Sequence, residues 1–486
     1  MIAAPADFLT GASSTHDEGC RRRSDVYSRQ VRSLSATSRA VGRHAIPLAG
    51  AVVLLGVFMG ASLWAVPHLR HSSGWLYFGD IWNYFQLAHF TDLGIYQVIY
   101  GQTLTTTPGI ILVLAPAWAI THAAGMSVAF LFEVPHPMAW LVLGPYEVLL
   151  SASALFAADA VAVRLGATRE RRLLICAGGV LALYSVVLWG HPEDAVAVAF
   201  LLYSCLAASD RRWATSAWLF GAAVAFQPFV LLALAPVFFP AGLRRVPGLV
   251  ARAAAPAAAL LVLPLAGDWS ATARSLIVQP AFPAGGRPTP WIHLATPLAH
   301  NLYAGAAVAG GPIRLLGIML SIVIGLWFCR AQQDLGLLIS IAALALTFRC
   351  VFESVIAPYY VFPTIAFALV SVSVATWPRS VAVSLIAVLV NWGSNFDSHS
   401  TWVWWPIVAG LAALLAVSWP KRTAPELQRQ SCPETANAHS LVGQALSQHL
   451  SSFARRYLIV ALVRSSRPVA DPPGQPAAAN PHPSRR

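Results

Sequence analysis

The chain of 486 residues is short of charge: Asp, Glu, Lys and Arg make up 11% of it, where a soluble domain carries about 25%. Too few ionised groups remain to clothe a water-exposed surface, and a hydrophobic content of 57% with a mean hydropathy of +0.62 excludes a soluble fold. Lysine is nearly absent, Lys421 standing alone among many arginines. The six cysteines (Cys20, Cys176, Cys205, Cys329, Cys350 and Cys432) form no Cys-x-x-Cys pair, and the middle four lie in or beside apolar runs. Neither a disulfide framework nor a zinc site follows from that pattern. Alternation of apolar and polar residues is also missing, which excludes barrel strands. The net charge of +12 does not point to nucleic acid, because the arginines sit in the two terminal tails and in short turns between apolar runs. Cytoplasm-facing loops of membrane proteins carry that pattern.

What is abundant is apolar sequence in runs of membrane-spanning length, about 20 residues each. They predict an all-α polytopic membrane protein with about 11 to 13 crossings, and three regions. Residues 1–45 are Ser- and Arg-rich, too long and polar for a signal peptide, and read as a disordered basic cytoplasmic tail. Residues 46–420 hold the transmembrane domain, its first span (46–66) acting as an uncleaved anchor and its external loops falling at 67–107, 267–310 and 391–401. Residues 421–486 form a second cytoplasmic tail, in which Leu446, Leu450, Phe453, Tyr457 and Val460 share a face, so that 441–464 reads either as an interfacial helix or as a transient one. The run 213–240 is interrupted at Gln227-Pro228, which predicts two short helices, up and back. Counting spans leaves one conflict. Either 108–138 is a re-entrant hairpin, or the arginine turn at 164–172 departs from the positive-inside pattern.

Polarity clusters in the turns assigned to the outer face. The first external loop carries Asp80 among Phe78, Trp82 and Phe85, a helical face suited to the membrane interface. A carboxylate there reads either as a helix cap or as a base able to take a proton from a sugar hydroxyl. Gly190-His191-Pro192-Glu193-Asp194 places an imidazole and two carboxylates between two spans. Capping of the following helix accounts for the acids, with Pro192 at its start, but so much polarity beside hydrocarbon favours a site. A divalent metal is compatible with one His and two carboxylates, yet the spacing matches no metal signature, and no cofactor is called for. Arg349 and Glu353, four apart, read either as a helical ion pair or as a site in which the guanidinium fork takes a phosphate, with Tyr359 and Tyr360 lining it. In the longest loop Arg287 and His293 flank Pro288-Thr289-Pro290-Trp291, which reads either as a segment that closes over a substrate or as a proline-rich loop without function. Within the spans, Glu147 and Asp159 are costly unless they face a polar interior, and lie about 120° apart on an ideal helix.

Taken together, Asp80 after the first span, the stretch from Tyr100 to Pro108, the Gly190–Asp194 turn and the helix ending Phe226-Gln227-Pro228 resemble the GT-C superfamily of integral-membrane glycosyltransferases, particularly the actinobacterial polyprenyl-phosphate-mannose-dependent mannosyltransferases. The family often has lysine where this chain has Gln227. The resemblance implies a GT-C-like fold over 46–420 and inverting transfer of a sugar, mannose above all, from a polyprenyl phosphate to a lipid or glycan acceptor at the outer face of the cell membrane. It makes Asp80 the base, Arg349 and then Arg287 the phosphate ligands, and His191, Glu193 and Asp194 the groups that orient sugar or acceptor. Gln227, His293, Glu353, Tyr359 and Tyr360 complete the expected substrate contacts. A lipid-linked-sugar flippase or small-solute transporter also needs many spans, but predicts paired repeats, which are not seen. A non-catalytic envelope-assembly protein leaves the polar outer turns unexplained.

Overall fold

The computed structural model describes residues 44–64, 108–126, 140–278, 287–301, 305–309, 311–329, 334–396 and 400–420. The chain divides into two units, Met1–Pro420 and Lys421–Arg486, and every described residue belongs to the first. Asp80, the loop 67–107 around it, the two tails and the segment 441–464 lie outside the described residues.

The described chain is mostly helical with very little sheet, which fits an all-α membrane protein. Its helices are α1 (His44–Trp64), α2 (Pro108–Ala123), α3 (Trp140–Arg164), α4 (Arg169–Leu188), α5 (Pro192–Ser209), α6 (Trp213–Phe226), α7 (Leu234–Phe238), α8 (Val246–Gly267), α9 (Trp269–Val278), α10 (Ile313–Phe328), α11 (Leu335–Phe352), α12 (Phe362–Ser371), α13 (Trp377–Ser394) and α14 (Trp404–Ser418). Seven of these are long and apolar enough to cross a membrane: α1, α3, α4, α5, α8, α11 and α14 with its leading turn. Large apolar side chains on their outer faces, Val52, Leu149, Leu181 and Val262 among them, are exposed to the surroundings. Such faces are compatible with lipid and unfavourable in water.

The bundle has two chemically different ends. Arg164 pairs with Asp210 at 2.6 Å, Arg171 donates to the Ser373 carbonyl, and Arg379 donates to the carbonyls of Val417 and Trp419. These contacts gather the arginine turns after α3, α5 and α12 at one end. At the other end, α4 closes in a Schellman motif: the Gly190 amide donates to Val187 and the His191 amide to Val186. Gly190 has φ of +68°, a left-handed conformation that glycine adopts without strain. Pro192 then starts α5 at a position where its missing N–H costs nothing.

Residues on both sides of 65–107 lie at this second end. Gly50 and Phe58 of α1 meet Cys176 and Tyr184 of α4, so α1 runs parallel to α4 and Trp64 comes level with Gly190. Gly109, at the start of α2, packs on the backbone of Ala225, two residues before Gln227. Helix α3 also begins here, since its far end carries Arg164. The chain between Pro108 and Trp140 therefore returns to the end it left. Of the two readings open for that stretch, this agrees with the returning one, and the arginine turn at 164–172 joins the other arginine turns.

The break after Phe226 falls at Gln227-Pro228, where α6 passes into a 3-10 turn (Pro228–Ala233) and α7. One expectation about loops is corrected, and a second gains detail. The described residues of 267–310 contain α9, a 3-10 turn (Pro290–Leu294), β1 (Arg287–Pro288), and β2 (Pro297–Asn301) paired with β3 (Gly305–Val308). β1 pairs antiparallel with β4 (Val355–Ile356), so this segment is fastened to the α11–α12 connection by backbone hydrogen bonds. Helix α13 also runs to Ser394, past the expected turn start at 391. Its Asn391 and Asn395 bond to Ser185 and Trp189, which ties the end of α13 to the end of α4.

Candidate functional site

Because α5 starts immediately after a tight reversal, Glu193 and Asp194 fall in its first turn and are driven inward, 2% and 0% exposed. Of the two readings of this turn, the capping one holds only in part: Pro192 starts α5 and both acids lie in its first turn, but no side chain caps the helix at His191, and the acids' side-chain bonds go elsewhere. Glu193 Oε1 lies 2.8 Å from His191 Nδ1 and accepts from Gln227 Nε2 at 3.3 Å. Asp194 Oδ2 accepts from Arg349 Nη1 at 3.1 Å. Two carboxylate oxygens, Glu193 Oε2 and Asp194 Oδ1, are buried and have no hydrogen-bond partner among the described residues. Each such oxygen costs about 1–3 kcal/mol while no donor reaches it.

Arg349 stands near the end of α11 and lies over two aromatic rings. Its guanidinium carbon is 3.6 Å from the Tyr360 ring centroid and 4.5 Å from that of Phe229. Stacking of this kind stabilises the cation by about 2 kcal/mol where water is excluded. Among the described residues the guanidinium makes no hydrogen bond besides the one to Asp194, so most of its five N–H donors are uncommitted. The His191 ring stacks on Tyr359 at 3.7 Å, and Tyr359 meets Tyr360 edge-on at 5.1 Å. His191, Glu193, Asp194, Gln227, Arg349, Tyr359 and Tyr360 thus form one connected cluster drawn from α5, α6 and its break, α11 and the turn before α12.

The remaining expected residues lie beside this cluster or away from it. The helical pair Arg349–Glu353 does not form: Glu353 lies beyond the last turn of α11, extended at φ −85° and ψ 150°, and accepts from Arg314 Nε at 2.5 Å. Arg287 is buried, and its strand partner Ile356 lies three residues before Tyr359. His293 is exposed near the end of its 3-10 turn. Asp159 pairs with Arg172 through two bonds of 2.7 Å towards the arginine end, and Glu147 is buried in α3. Among the described residues no group of three or more His, Cys, Asp or Glu is arranged to hold a metal ion.

Several residues that sequence reading left out or left without a role hold Arg349 in place. The last carbonyls of a helix lack partners within it. Here Trp404 Nε1 donates to Cys350 at 3.0 Å, Trp291 Nε1 to Val351 at 2.6 Å, and Thr289 Oγ1 to Glu353 at 2.6 Å. Thr289 and Trp291, in the stretch read either as closing over a substrate or as a loop without function, bond to the end of α11. Arg314, Phe229 and Trp404 carry no local sequence signal for these roles, since their partners are distant in the chain.

No protein-family model matches the chain, and no curated protein is significantly similar to it.

Proposed function

We propose that the protein is a membrane glycosyltransferase of GT-C type that moves a sugar, mannose in the first instance, from a polyprenyl phosphate to a lipid or glycan acceptor at the outer face of the membrane. The observation that carries this reading is the convergence of His191, Glu193, Asp194, Gln227, Arg349, Tyr359 and Tyr360 at one end of an apolar bundle. The ends of the segment bearing Asp80 emerge at the same end.

The chemistry follows from those groups. An acceptor hydroxyl attacks the anomeric carbon from the face opposite the phosphate, which inverts the configuration. Its O–H proton passes to the Asp80 carboxylate as the new C–O bond forms, and the sugar–phosphate C–O bond breaks with its electron pair leaving on the phosphate. A phosphate is a good leaving group, so charge stabilisation matters more than a strong acid. The uncommitted N–H groups of Arg349 suit that charge, because a guanidinium meets phosphate oxygens in a planar fork. The unpartnered oxygens of Glu193 and Asp194 are acceptors only, which suits sugar hydroxyls once a substrate enters. The partly exposed Tyr359 ring, backed by His191, suits stacking against a pyranose.

Transfer of radiolabelled mannose from its polyprenyl phosphate to lipid extract, by purified protein in nanodiscs, tests the reading. Wild type should transfer, and Asp80→Asn and Asp80→Ala should lose about 10²–10⁴-fold with folding intact. Undiminished transfer by both variants would remove Asp80 from the mechanism.

A further inference from the structure

The arginine end carries a second concavity with chemistry of its own. A cavity of about 300 Å³ opens there, lined by Arg211, Arg245, Trp213, Ser209, Pro240 and Ala241 among others, and no carboxylate among the described residues lines it. Asp210, the nearest acid in sequence, is engaged by Arg164 at 2.6 Å.

Two helices begin at this cavity. Trp213 is the first residue of α6, and Arg245 immediately precedes α8. The two helices run parallel in close contact, since a Cβ on Gly221 of α6 would lie 2.2 Å from the Ala253 carbonyl of α8, each residue two turns from its helix start. Parallel packing puts two positive helix ends, about half a charge each, at one mouth alongside two guanidinium groups. Both arginines are exposed, and so are the apolar Leu243, two residues before Arg245, and Trp218 in α6, at 53% and 52%. Cationic donors beside apolar surface at one end of a membrane bundle match a phosphate carried on acyl chains.

We propose that the cavity between Arg211 and Arg245 binds an organic phosphate, carried either by an anionic lipid headgroup or by a soluble phosphate ester. It is separate from the cluster around Arg349 and does not rest on the glycosyltransferase reading.

Native mass spectrometry of the full-length protein, titrated with phosphatidylglycerol, phosphatidylcholine or glycerol phosphate, tests it. Wild type should retain phosphatidylglycerol over phosphatidylcholine, and Arg211→Gln/Arg245→Gln should weaken retention by about tenfold or more. The charge-preserving Arg211→Lys/Arg245→Lys should keep most of it, which separates ligand loss from misfolding. An equal loss of charge at exposed positions, Arg169→Gln/Arg252→Gln, should leave retention unchanged. Binding of glycerol phosphate as strong as that of the lipid would assign the site to a soluble phosphate. Equal retention by all variants, or an equal loss in both Gln pairs, would overturn the proposal.

Discussion

Arg349 and Asp194 show how tertiary context decides a residue's partner. The spacing of Arg349 and Glu353 suggests a helical pair, but Arg349 reaches Asp194, 155 positions away, and Glu353 reaches Arg314, 39 positions away. The polarity of both turns is legible in the sequence; who meets whom is not, because it depends on how α5, α10 and α11 pack. Asp194 is fully buried and Arg349 nearly so, so removing either alone leaves an uncompensated charge. Arg349→Gln and Asp194→Asn should each cost about 3–5 kcal/mol of stability, and the double variant clearly less than their sum. Thermal unfolding in detergent measures this, and simple additivity would show that the pair is not coupled. Glu353→Gln, whose partner Arg314 is partly exposed, should cost about 1 kcal/mol or less in the same assay.

At the scale of elements, the helices are legible because apolar runs of this length have few other solutions in a membrane. The two small strand pairs and α9 are not, since two- to five-residue strands are held by neighbours rather than by their own propensity. The cap of α11 is of the same kind: indole and hydroxyl donors from two distant segments satisfy its last carbonyls. Close helix contacts are likewise invisible until the packing is known. Gly221→Ala would set a methyl 2.2 Å from the Ala253 carbonyl, and Gly109→Ala one 2.5 Å from the Ala225 carbonyl. Backbone must shift in both cases, so each should destabilise by about 1–3 kcal/mol. Gly56 in α1 has nothing within 4 Å of such a methyl, and Gly56→Ala should be neutral or stabilising by up to about 1 kcal/mol. Thermal unfolding of the three variants checks the contrast. Equal effects would contradict the packing of α2 and α8 against α6.

For the whole molecule, the two ends carry different chemistry. Arginine turns gather at one, and the buried cluster of His191, Glu193, Asp194 and Arg349 lies at the other. The arginine distribution alone predicts a cytoplasmic arginine end. In a background without reactive native cysteines, His293→Cys should react with a membrane-impermeant maleimide on intact cells, and Arg244→Cys only after permeabilisation. The reverse pattern would turn the molecule over and move the site to the cytoplasm. The sequence separates these ends because its arginines gather in a few turns. Which turns converge is hidden from it, since that depends on the crossing order of helices far apart in the chain.

In the proposed reaction this cluster transfers a lipid-linked sugar, with Arg349 stabilising the departing phosphate. The most direct measurement is the rate of mannose transfer from its polyprenyl phosphate in nanodiscs, comparing wild type with Arg349→Lys, which keeps the charge but loses the planar fork. Measurable transfer by wild type and a fall of about 10²-fold or more in the folded variant are predicted. Transfer at the wild-type rate by Arg349→Lys, or no transfer by wild type from any of a panel of polyprenyl-phosphate sugars, would contradict the account.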